Sequence, residues 1–275
     1  MIKRFLTWSA ILALVIVSCF SLSTSPSYAY SQSDLDRLLK TRDCRECDLA
    51  GVDLSDANLS GVDLTGANLS GANLSGADLS SLNTDRYFSD YNFTGTKIDN
   101  ANFEGANLTG ANFTGDRLTG TDFRGAKLAG ADFTDAKLAG ADLRYIDLRG
   151  VKLSGAILTG ASLDHVNLAG YDLTGVILSN AHLSFADLTG IILIEGTLQD
   201  ADLTYTELQG ANLEGTNLSG ASITTANLEK AILRNADLEK ADISFSNLIG
   251  ADIRGANLQG IIYTRSELVG TIRGD

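Results

Sequence analysis

Histidine is nearly absent from this chain: 275 residues contain two, His165 and His182. They are read as facing different sides, so neither has the company that a nucleophile, base and orienting acid require, and no catalytic grouping can be assembled. Basic residues are scarce as well. Lys and Arg total 21 against 34 Asp and Glu, a net charge of -13, which argues against nucleic acid or anionic lipid as a partner. The apolar run from Phe5 to Val17 is too short to span a bilayer comfortably. There are three cysteines and a single proline, but 28 glycines.

The start of the chain reads as an export signal. Lys3 and Arg4 are its positive beginning, Phe5 to Val17 its apolar middle, and Ser27-Tyr28-Ala29 a small-residue cleavage site, with removal of residues 1–29 expected. Two rivals stand beside this: a retained anchor, or a lipoprotein box at Ile16-Val17-Ser18-Cys19 that would attach the chain to a membrane through Cys19. Loss of Lys3 and Arg4 leaves 19 basic against 34 acidic residues, a mature charge of -15. The expected location is an exported compartment, periplasm or thylakoid lumen.

Residues 30–43 are expected to form a capping segment. Ser33 is placed to cap a short helix running to Lys40, with Asp34 and Asp36 at the positive end of its dipole and Leu35, Leu38 and Leu39 on one face. Cys44 and Cys47 follow. A redox motif would need a βαβ setting, and a zinc site would need two more ligands where the only histidines are distant. The reading favours a structural disulfide between Cys44 and Cys47, in an exported protein, over buried free thiols.

The rest is one five-residue phrase repeated, as in Thr65 to Leu79, TGANLSGANLSGADL. Leucine, phenylalanine or isoleucine marks the centre of each repeat, a small apolar residue stands two earlier, and a turn residue, mostly glycine, follows. Centres run from Leu49 to Leu79, resume at Phe88, and continue to Leu268, 44 in all, with Tyr263 the exception. Two inward residues per repeat cannot bury themselves, so the chain must coil and stack. The tandem A(N/D)LxG pattern resembles the pentapeptide-repeat family, and the cap followed by Cys-x-x-Cys resembles exported cyanobacterial members. The resemblance implies an all-β, right-handed quadrilateral parallel β-helix. Four repeats to a coil then gives about 11 coils and a rod about 50 Å long, spanning 44–270 with a tail at 271–275.

Departures from the pattern mark candidate sites. Spacing slips at 80–87, read as a surface irregularity or a recognition loop. Phe93, Phe113 and Phe133 should form one core column and Phe103 and Phe123 the opposite one. Asp116, Tyr171 and Gly196 occupy inward small-residue positions, where distortion or water is expected. One corner column exchanges glycine for Tyr145, His165, Phe185, Tyr205, Thr225, Phe245 and Arg265. This stripe is either a set of mutually stacked side chains or a docking surface for a protein, with Tyr145, His165, Phe185, Tyr205 and Phe245 as anchors.

The expected function is a non-enzymatic interaction or scaffold rod, with no cofactor and no metal. Two alternatives are an acidic DNA mimic that occupies a topoisomerase and a structural or stress protein without a specific ligand. The basic series Lys97, Arg117 and Lys137 works against the first of these. The uncapped C-terminal coil, with Ile261, Ile262 and Tyr263, suggests a homodimer joined end to end.

Overall fold

The computed structural model describes residues 30–79 and 96–273. Only three residues of each repeat are extended before the chain turns, so no long strand forms. Instead, the residue before each centre makes one parallel bridge to its counterpart in the next coil: Asp43 with Asp63, Arg117 with Lys137, Asp202 with Ser222, Asp252 with Ile272. Backbone donors point along the rod. The Leu54 amide donates to the Asn73 carbonyl at 2.7 Å, and the Asn73 amide donates back to Val52 at 2.9 Å. Each corner closes on itself, as where Ala72 donates to the Leu69 carbonyl at 3.0 Å. The result is a four-sided β-helix. Its sides carry the bridge series beginning, beyond residue 96, at Lys97, Asn102, Asn107 and Asn112; they are called sides one to four here.

The interior follows from the two inward residues. Leu64, Leu69, Leu74 and Leu79 are fully buried, as are Ala67, Ala72 and Ala77. Each large side chain withdrawn from water contributes roughly 1.5–3 kcal/mol. Phe103 stacks on Phe123 across side two, Phe113 stacks on Phe133 across side four at 4.7 Å, and the two pairs meet edge to face at 5.6–6.2 Å. A narrow four-sided core accommodates rings by alternating opposite walls.

Phe88 and Phe93 lie outside the described residues, and the ladder corrects their expected place. Asp63 bridges Lys97, and Asp78 bridges Asn112, a separation of 34 residues where the neighbouring rungs are 20 apart. Leu79 donates directly to Asn112. The residue below Phe113 is therefore Leu79, not Phe93, and the coils resume at Ile98.

Of the three irregular inward residues, only Tyr171 lies beside a break in the ladder. Among the described residues, the bridges Lys127–Asp147, Asp147–Asn167 and Lys152–Asp172 are missing while every other rung is present. Tyr171 stands where alanine is usual, and its hydroxyl donates to the Leu148 carbonyl, at the level where sides three and four lose their rungs. Burial raises its phenol pKa. At Asp116, fully buried, the rungs of Arg117 continue on both sides. Gly196 is required by packing: a Cβ there would meet Leu193 at 2.8 Å.

Helix α1, Gln32–Thr41, covers the first coil. It starts earlier than expected. Ser31, not Ser33, is the N-cap, its hydroxyl accepting from the Asp34 amide at 3.3 Å, because the Ser31 amide is itself tied to Asp48 at 2.9 Å. Leu35 and Leu38 are buried, and Leu39 is partly so. The other end has no helix among the described residues, and an apolar recess of about 560 Å³ opens there between Leu238, Ile243, Leu258, Ile261 and Tyr263.

Candidate interaction face

The corner between sides two and three requires left-handed backbone. Gly105 and Gly125 meet that requirement without strain. From Tyr145 onward the same conformation is imposed on larger residues, with φ of 59° at Tyr145, 61° at His165, Phe185 and Tyr205, 59° at Thr225, 63° at Phe245 and 59° at Arg265. Holding a non-glycine residue there costs of order 1–3 kcal/mol.

The side chains form an ordered external column. Tyr145 stacks on His165 at 4.6 Å, His165 on Phe185 at 4.9 Å, and Phe185 on Tyr205 at 4.9 Å, all within 13° of parallel. Thr225 interrupts the rings. Phe245 follows, and the Arg265 guanidinium lies over it at 5.9 Å. Phe185, Tyr205 and Phe245 remain about half exposed at 52%, 51% and 54%, and Tyr145 reaches 72% because no ring lies beneath it. Ring pairs contribute about 0.5–1.5 kcal/mol. Stacking and backbone strain are thus of similar size, and the column brings little net stability.

Polar rails flank it. On side three, Asn227 donates to Glu207 at 2.9 Å and Asn247 to Asn227 at 3.3 Å. On side two, Ser184 donates to Asp202 at 2.9 Å. His182 belongs here too: it bridges Ser162 in the repeat that ends at Phe185, which rests on His165. The two histidines therefore share one side, contrary to the sequence expectation, because a repeat and the corner that closes it project together.

Most outer carboxylates and amides have local duties that the sequence left as a solvated face. Asp53 accepts from the Ser55 amide at 3.1 Å, and Asn217 from Ser219 at 2.9 Å, bracing the turn. Where Arg follows Asp by two residues, the pair closes on itself. Side-chain hydrogen bonds from Arg45, Arg149 and Arg254 hold Asp43, Asp147 and Asp252 down to a pKa of about 2. The basic series is also engaged, Lys97 with Asp63 at 3.7 Å and Arg117 with Asp99.

At the capped end, the structure pairs Cys44 with Cys47, their Cα atoms 5.2 Å apart. Both are buried under α1, with the Arg37 guanidinium donating to Cys47 Sγ at 3.0 Å.

A four-sided β-helix built from five-residue repeats and carrying an external side-chain column is a solenoid of the repeat-protein class. The model of the Pentapeptide repeats family matches in eight copies over residues 43–80, 87–115, 117–155, 156–194, 181–220, 197–234 and 221–260, and the chain belongs to that family, whose coil is right-handed. Among solved structures, it is similar to HetL, a pentapeptide repeat protein involved in heterocyst differentiation regulation in Nostoc sp. strain PCC 7120, at 29% identity over 88% of this chain and 95% of that one, with a TM-score of 0.51. A pentapeptide repeat protein of the Arabidopsis thaliana thylakoid lumen is 34% identical over 31% of this chain and 63% of that one, TM-score 0.26. QnrB1, a plasmid-mediated fluoroquinolone resistance protein, is 18% identical over 71% and 88%, TM-score 0.35. The comparison with curated protein sequences gave no match. Pentapeptide repeat proteins are generally non-enzymatic.

Proposed function

We propose that this chain is a non-enzymatic interaction rod of an extracytoplasmic compartment, periplasm or thylakoid lumen, and that it docks a protein partner through the column from Tyr145 to Phe245. One observation carries the reading: seven successive coils accept a strained left-handed corner to place non-glycine side chains on the outside, where stacking does little more than offset the strain. An exposed aromatic edge flanked by hydrogen-bonding rails is suited to anchoring a partner. The basic residues of side one weigh against a DNA-mimic role.

The location rests on the export-like residues 1–29, outside the described residues, and on a Cys44–Cys47 bond retained in the mature protein. Mass spectrometry of exported material should find Tyr30 as the first residue and no free Cys44 or Cys47 thiol; an acylated Cys19 would place the chain at a membrane instead.

The docking test replaces Phe185, Tyr205 and Phe245 together with Gly. Loss of the Phe185 and Tyr205 ring stacking and of the Phe245–Arg265 contact, with relief of three strained corners, should leave the melting temperature within a few degrees, a net change of roughly 1–2 kcal/mol. Capture of the partner from lumenal or periplasmic extract should be lost. Unchanged capture would make the column structural only.

A further inference from the structure

Resting on that docking reading, we propose that the corner over Thr225 is a slot for one arginine guanidinium of the partner protein. One face of the Tyr205 ring is covered by Phe185, nearly parallel at 6°. Its other face looks along the rod toward Thr225, an exposed residue without a ring. Beyond Thr225 stands Phe245, whose far side is occupied by Arg265. Two coil steps separate Tyr205 from Phe245, about 9.6 Å. A planar group midway would lie about 4.8 Å from each ring, matching the 4.6–4.9 Å between ring centres along the column. The ring contacts run from Tyr145 to Tyr205 and stop at Thr225, and the two-coil spacing leaves room above Thr225 for one flat group of about the thickness of a ring.

The walls of this slot are set by backbone. Tyr205 donates to Thr224 at 3.0 Å, Thr225 to Ser244 at 3.0 Å, and Phe245 to Thr264 at 2.9 Å, so the coils on either side cannot close up. Thr225 is not a default corner residue either: glycine would take φ 59° freely, whereas a β-branched residue rarely does.

Three observations favour a guanidinium. The chain itself completes the column with one, Arg265 on Phe245. The adjoining rail carries the Glu207 carboxylate, oriented by Asn227 two residues beyond Thr225. The whole chain is acidic, at -13. A guanidinium is flat and stacks on two ring faces while donating in its plane, whereas an ammonium does neither.

The test uses the intact chain and three blocked tripeptides, acetyl-Gly-Arg-Gly-amide and its Lys and Tyr counterparts, with the Tyr205 and Phe245 ring resonances followed by NMR. The Arg peptide should give saturable shifts, with affinity at least about fivefold above the Lys peptide. Thr225→Phe, which fills the slot, should abolish binding, and Thr225→Gly should keep it. Should Thr225→Phe fold poorly, Phe245→Gly removes one wall and should also abolish binding. Equal Arg and Lys affinities, preference for the Tyr peptide, or undiminished Arg binding to Thr225→Phe would each overturn the proposal. The docking reading is judged separately by extract capture: a partner lost from the triple glycine variant but retained by Thr225→Phe would leave the column a docking surface and remove the arginine slot.

Discussion

Single residues in this rod are judged by whether they brace a turn or leave it. Asp43, Asp147 and Asp252 brace turns and hold an arginine as well, and their pKa of about 2 lies below that of an ordinary carboxylate. A depressed folded-state pKa contributes stability that is present above the unfolded value, about 3.9, and is lost as pH falls through the folded one. Melting temperature should therefore hold steady from neutral pH to about 4.5 and fall between about 4 and 2. The fall should be shallower in Asp252→Asn, and salt should weaken it because these pairs are exposed. A decline already complete by pH 5 would contradict this assignment. The corner residues show how far sequence alone reached. Their twenty-residue spacing is plain, and so is the switch from Gly125 to Tyr145. The left-handed strain, the stacking order and the gap at Thr225 depend on backbone angles and on what stands above and below, which a linear reading does not contain.

At the level of elements, the weak point is the pair of coils joined at Asp147. Sides three and four lack their rungs there, while Lys137–Ile157 and Asp142–Ser162 remain. The Tyr145–His165 ring contact spans this same level and helps clip the two coils where half their ladder is absent. Amide hydrogen exchange should be faster at Asp147, Leu148 and Asn167 than at Asp187 and Leu188, whose ladder bonds are 2.9 and 2.8 Å. Tyr171→Ala should restore the missing rungs, slow that exchange and raise stability by about 1 kcal/mol, the relief of an overpacked site. Equal exchange at both places would dissociate Tyr171 from the gap. The size of Tyr171 announced trouble, whereas Phe88 and Phe93 misled. They stand in step with Ile98, so the five-residue count runs through them, but the pairing of Asp63 with Lys97 and of Asp78 with Asn112 puts Leu79 beneath Phe113. Helix α1 was legible from its leucines, and its start was not, because the Ser31–Asp48 bond that sets it crosses from helix to coil.

For the whole molecule, the two ends differ. One carries α1 and the cysteine pair. The other exposes Ile262, Tyr263, Val269 and Ile272, at 50%, 57%, 73% and 47%, around the apolar recess. Unpaired edges of this kind recruit more chain, and a second copy meeting end to end would cover them. Sedimentation should show a dimer that tightens with added salt, since two acidic rods repel less when screened. Val269→Glu should return it to monomer. A monomer at high concentration, with or without salt, would rule the contact out.

Because each coil closes after four repeats, position along the chain is also an angle around the axis. Adding one repeat between the cap and Tyr145 would swing the aromatic column a quarter-turn relative to α1. Adding four would lift it by one coil, about 4.8 Å, without turning it. The skip between Leu79 and Ile98 leaves this phase untouched, since Asp63 and Lys97 still stand on the same side. The chain thus works as a protractor: the number of repeats between α1 and Tyr145 sets the bearing at which the column faces outward.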